Sequence, residues 1–220
     1  MDPISRTSHE TTRAAPPVRV RGAPRLAPLA ALAGALLLIA PLGAADGPVQ
    51  SDPECFAEPR MDLDDRASPL DSATVELGGE TAKVCYGAPS ARGRTMIGGD
   101  EVPYGEPWRL GANEATALHL TFPARLGDVE LEPGSYSLYA IPDDEEWTVV
   151  VNGQVERWGI PIDPEVTAQD VGRIQVPRER PEEHVETLSF HFQERNGNEA
   201  GLVMEWEEYR ITLPLERDAG

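Results

Sequence analysis

The sequence predicts a mostly β domain, an antiparallel two-sheet β-sandwich set behind an N-terminal hydrophobic leader. Three observations carry this expectation. From Ser68 onward, short runs alternate apolar and polar residues at the two-residue period of half-buried strands. Turn signals rich in Gly, Asn and Pro punctuate the runs. Roughly 150 residues pass without regular strand–helix alternation, so the strands must bury their apolar faces against one another. A closed β-barrel is the alternative that fits the same pattern.

The leader comes first in chain order. Up to Ala45 the chain carries Arg6, Arg13, Arg19, Arg21 and Arg25 against Asp2 and Glu10, and Leu26–Ala45 is uncharged. A basic stretch before an apolar one has the order of a signal peptide. Pro41 ends the apolar run and Gly43, Ala44 and Ala45 offer small residues for cleavage after Ala45. An uncleaved membrane anchor is the second reading, because the uncharged stretch approaches the length of a bilayer core. Both readings keep the arginines on the cytoplasmic side. The expected location is therefore exported, periplasmic or extracellular, or membrane-anchored with the domain outside the cytoplasm.

Residues 46–67 are acidic and broken by Pro48, Pro53 and Pro59, which reads as a linker. The sandwich is expected over 68–216, with a short tail to 220. Residues 46–220 hold 14 basic and 36 acidic residues, a formal charge of −22. Phosphate-backbone binding needs clustered Lys and Arg, and Lys83 is the only lysine. Nucleic acid is thus excluded as a partner, and the membrane is reached only through the N-terminal segment if it is retained. Cys55 and Cys85 fall in the part that would enter an oxidising compartment, where a disulfide between them is one reading and a free thiol the other.

Within the domain, Ala73–Leu77 and Thr81–Tyr86 flank Gly78-Gly79, a pair suited to the positive φ angles of a tight hairpin. Thr116–Phe122 places Leu118, Leu120 and Phe122 on one face. Ser135–Ile141 follows a Pro133-Gly134 turn, and Trp147–Val151 ends at Asn152-Gly153. Arg173–Val176, Glu186–Phe192, Leu202–Trp206 and Tyr209–Leu215 complete about nine strands. Asp163-Pro164-Glu165 marks the one short helix, an N-cap with proline at the first helical position.

Two stretches, Tyr86–Gly99 and Val102–Thr116, resemble the bacterial domain of unknown function 2911 family. Leu131–Pro142, Trp147–Val149, Trp158-Gly159 and Met204–Glu207 extend the likeness over roughly 68–215. The resemblance implies an exported, mostly β protein and supplies no reaction.

The connection from Gly87 to Pro107 is the most informative segment, since long loops within compact domains are commonly functional. Gly87–Gly99 holds no acid, yet contains Arg92 and Arg94. With Arg109 they would form a cationic island able to receive a carboxylate or sulfate, and Tyr104 and Trp108 would supply flat walls. The structural alternative pairs these arginines with Glu106 and Glu114 and puts Trp108 in the core. Asn113 and Glu114 are further ligand-binding candidates. Glu114 serves as a base in a hydrolase-like reading with Arg109 or Arg94; the structural alternative makes it a partner of Arg109.

Histidines suggest less. His119 and His191 occupy polar faces of their expected strands, and pairing across neighbours would be needed for a metal site; surface exposure is the alternative. His184 lies in an acidic loop, and Asp143–Glu146 reads as a solvated turn. No metal or cofactor is expected, and no nucleophile elbow, phosphate loop, dinucleotide fingerprint or zinc-protease helix occurs. The sequence thus points to a module that binds a small ligand, a glycan or an envelope protein through Gly87–Thr116. A hydrolase-like enzyme and a purely structural envelope module are the alternatives.

Overall fold

Period-two side chains have two faces to bury, and this chain buries them between two open antiparallel sheets. The computed structural model describes residues 52–59 and 61–218; the expected leader lies outside them. The strands are β1 (Leu70–Leu77), β2 (Glu80–Gly87), β3 (Thr116–Leu120), β4 (Ala124–Leu126), β5 (Val129–Leu131), β6 (Gly134–Ile141), β7 (Glu146–Asn152), β8 (Asp170–Pro177), β9 (Val185–Asn196), β10 (Glu199–Glu207) and β11 (Tyr209–Arg217), with helix α1 (Pro164–Thr167) between β7 and β8. One sheet runs β1-β2-β3-β6-β7-β8 and the other β5-β4-β11-β10-β9. Neither sheet closes on itself, which settles the choice between sandwich and barrel.

Between the sheets, Ala82, Val84, Leu118, Leu138, Val149 and Ile174 from one side meet Phe190, Leu202, Met204, Ile211, Leu213 and Leu215 from the other, all buried. The Gly78-Gly79 hairpin forms as expected, with φ of 61° and 82° and Leu77 opposite Glu80. Asp163 caps α1 by accepting from the N–H groups of Glu165 and Val166. Strands β4 and β5 add two to the expected nine; at three residues each they are too short to display an alternation.

The outer face of the six-stranded sheet is buried as well, which half-polar strands do not announce. Cys85, Ala117, His119, Ser137, Tyr139 and Asn152 are all covered. Of the expected 46–67 linker, the described residues 52–59 and 61–67 hold no helix or strand, and Asp52 and Cys55 are tied to this face. A disulfide joins Cys55 to Cys85 with Cα atoms 5.6 Å apart. Lys83 pairs with Asp52 at 2.9 Å. Residues 153–169 cover the other end, where Asn152 donates to Val166 O at 2.6 Å and to Asp170, and the Tyr139 hydroxyl also reaches Asp170.

This cover corrects the expectation for the histidines. His119 is buried, not exposed, because the N-terminal segment overlies its strand. Its Nδ1 shares a 2.7 Å hydrogen bond with Ser135 Oγ. His191 belongs to β9 in the other sheet, so the two imidazoles are not neighbours.

Candidate functional site

The excursion between β2 and β3 is pinned at several points along its length. Ser90 bridges to Thr187 of β9, and Ala91 N donates to Glu186 O. The buried Glu207 carboxylate accepts from the N–H groups of Met96 at 2.9 Å and Ile97 at 2.8 Å. Trp108 exchanges two 2.7 Å hydrogen bonds with Ala140 and so rejoins β6 beside the place where β3 will pair. Among the described residues, four non-glycine residues have positive φ: Arg92, Leu110 and Asn113 within the excursion, and Glu207 that braces it. Left-handed backbone at such residues costs of order 1–3 kcal/mol each and persists only where surrounding contacts enforce it.

Trp108 is the hub of the aromatic packing. It stacks on Trp206 at 5.7 Å and 19° and meets Trp147 edge-on at 6.1 Å. Both parts of the sequence reading apply to it: it is 8% exposed, hence core, and it also lines an open cleft of about 300 Å³. Arg94, Glu101, Arg109, Ile160 and Trp206 line the same cleft. Met96 forms a further apolar part of its lining.

Of the candidate residues, the fold gathers Arg94, Trp108 and Arg109. Arg109 is half-buried and makes no ion pair among the described residues; Nε donates to Gly111 O at 3.3 Å. Burial lowers its pKa, against the opposing charges of Glu101 and Glu114. Its stem runs against Gly159, where a Cβ would lie 2.3 Å from Arg109 Cδ and 2.9 Å from Asn113 O. The Trp158-Gly159 pair is therefore explained by close approach of backbone and Arg109. Arg94 is exposed, donates to Ala91 O and Ser90 O, and sits 3.9 Å from Glu101.

The remaining candidates lie outside the cleft. Arg92 receives Glu186 on its backbone N–H and donates to Ala67 O. The Tyr104 hydroxyl bonds that of Tyr209, and burial followed by this bond raises its pKa. Asn113 donates to Ser68 O at 2.9 Å.

Glu114 departs most from expectation, since its partner is Arg66 and not Arg109. The guanidinium binds it with two bonds of 2.8 and 2.7 Å, and Glu58 N–H adds a third at 2.7 Å. Burial alone raises the Glu114 pKa, but these bonds, the backbone N–H of Glu114 itself and the Arg66 charge outweigh it and hold the carboxyl below its ordinary range. A carboxylate so stabilised is a poor proton acceptor. Its position makes it the anchor of the N-terminal segment.

Glu101, Met96, Ile160 and Trp206 line the cleft although sequence reasoning did not select them. Trp206 and Met96 left a signal, in the closing Met204–Glu207 motif and in the Tyr86–Gly99 stretch. A larger groove of about 690 Å³ near Arg125 and Glu130 is rich in acids, and its arginines pair with Glu216 and Glu80. The Asp143–Glu146 turn is exposed. Among the described residues, no group of three or more His, Cys, Asp or Glu is placed to hold a metal ion, and no helix is long and apolar enough to cross a membrane.

Fold and site together define a two-sheet antiparallel sandwich whose long β2–β3 excursion frames an open cationic and aromatic cleft. The chain belongs to the family described as "Protein of unknown function (DUF2911)", whose model matches residues 68–215. Neither the curated proteins nor the solved structures contain a match to the chain.

Proposed function

We propose that this protein is an exported binding module, and that the cleft at Trp108 receives a small ligand or glycan end carrying a carboxylate. The observation that carries the reading is the half-buried Arg109, unpaired by any acid among the described residues, opening beside Arg94 onto the Trp108 and Trp206 walls. A guanidinium without a carboxylate partner offers a bidentate fork, and a desolvated setting strengthens its hydrogen bonds. Indole walls supply the flat surface on which a sugar or ring lies. Acid–base chemistry has less support, because the buried acids near the cleft are already committed, Glu114 to Arg66 and Glu207 to the N–H groups of Met96 and Ile97. Export is supported by the leader pattern and by the Cys55–Cys85 disulfide, a bond that persists in oxidising compartments.

The test replaces Arg94, Arg109 and Glu114 singly and follows binding of glucuronate and benzoate beside thermal unfolding. Arg109→Gln is expected to weaken binding at least about tenfold with little change in melting, as for loss of a charge-assisted bidentate contact. Glu114→Gln is expected to lower melting. Unchanged probe binding in both arginine variants would refute the assignment.

A further inference from the structure

The 93–97 wall has a second side. There a cleft of about 450 Å³ is lined by Arg94, Arg178, Arg180, His184 and Tyr209, with Glu207 and Glu208 as its acids. We propose that this cleft is a separate anion site for a tetrahedral oxyanion, the phosphate or sulfate head of a larger ligand, with Arg178 as its principal donor.

Arg178 stands apart from most arginines of the domain. Arg66, Arg125, Arg173, Arg180, Arg210 and Arg217 each pair with a carboxylate. Arg178 forms no ion pair among the described residues, in a chain with 38 acids against 19 bases. Its Nε is buried and has no hydrogen-bond partner among the described residues. A buried donor of this kind is costly unless a ligand or water completes it.

The surroundings hold this guanidinium in place. It lies 4.6 Å above the centre of the Tyr209 ring. That ring packs on Trp147 at 6.0 Å, and its hydroxyl bonds Tyr104. The backbone N–H of Arg178 donates to Glu145 O at 2.8 Å. A planar cation fixed on an aromatic face keeps its outer N–H edge free for oxygen, the geometry that favours Arg over Lys for oxyanions.

The acids of the cleft are already engaged. Both Glu207 oxygens accept from the loop N–H groups of Met96 and Ile97. Glu208 is shared between Arg180 at 3.2 Å and His184 at 3.3 Å, and Glu186 faces His184 at 3.6 Å. Three guanidinium groups thus face two lining carboxylates, the reverse of the balance over the whole chain. Convergent cations from separate segments match the several oxygens of a tetrahedral oxyanion better than they match one carboxylate. Only Arg94 borders both clefts, so the two assignments stand or fall separately.

Calorimetric titration of the folded protein with inorganic phosphate and with sulfate, against chloride at matched ionic strength, tests the site. Saturable binding of phosphate or sulfate but not chloride is expected, and the tighter of the two names the ester class. Arg178→Gln is expected to weaken that binding at least about tenfold and Arg180→Gln several-fold, while Arg125→Gln, which lines neither cleft, leaves it unchanged. Should Arg178→Gln fail to fold, Arg180→Gln and the milder Arg178→Lys decide. No oxyanion-specific binding by the unaltered protein, or equal binding by the altered ones, would overturn the proposal.

Discussion

Glu114 and His119 show how single residues acquire roles through burial. Glu114 is 3% exposed and its charge is balanced by one guanidinium. Removing one member of a buried pair leaves the other charge uncompensated, so Glu114→Gln or Arg66→Met is expected to cost about 3–5 kcal/mol in urea unfolding. The pH dependence has a defined sign. The folded-state pKa of Glu114 lies below its ordinary 4.5, so its contribution is full above 4.5 and is lost as pH falls through the lower folded value. His119 adds to acid sensitivity at higher pH. Burial first, then the Lys83 charge, push its pKa below 6.5, with Asp52 opposing. The unfolded chain therefore takes up the proton first, and stability falls as pH drops below 6.5. His119→Gln is expected to flatten the decline below pH 6.5, measured by the urea midpoint. Sequence alone marked Glu114 as either base or structural partner. It did not reveal Arg66, because their pairing joins residues 48 apart through a segment without periodicity.

At the scale of elements, period-two alternation was enough to locate nine strands, since it is set by the local geometry that also forms them. β4 and β5 escaped because their three residues apiece, Ala124–Leu126 and Val129–Leu131, carry too few side chains to display it. The N-terminal segment escaped for another reason: its order comes from tertiary anchors at Cys85, Lys83 and Glu114. Loss of the Cys55–Cys85 bond in a paired serine variant is expected to lower stability by roughly 2–4 kcal/mol, read by chemical unfolding. The cleft was legible in its central residues Arg94, Trp108 and Arg109. Its rim was less so: Ile160 and Trp206 arrive from distant parts of the chain, and Glu101, though in the same connection, is an acid whose turn toward the cleft depends on how the loop folds. Gly159 links the two levels. Gly159→Ala places a methyl against Arg109 Cδ and the 113–114 backbone, and is expected to cost about 1–3 kcal/mol and to weaken glucuronate binding by displacing Arg109.

Over the whole molecule, a formal charge of −19 makes a gathering of unpaired guanidinium groups informative. Arginines in such a chain have acids in excess to pair with; of the arginines without an ion pair among the described residues, Arg92, Arg109, Arg157, Arg178 and Arg195, it is Arg109 and Arg178 that line the two clefts. Two sheets, braced by Glu207 and the Trp108–Ala140 bridge, give the excursion a fixed backbone on which those side chains rest. The measurement that bears most directly on this account is a nitrogen-15 NMR titration with glucuronate, following the indole N–H signals and the Arg109 Nε–H. Saturable shifts at Trp108 and Arg109, with Trp158 unmoved and the response gone in Arg109→Gln, are predicted. Saturable shifts confined to the acidic groove near Arg125, or none at all, would contradict it.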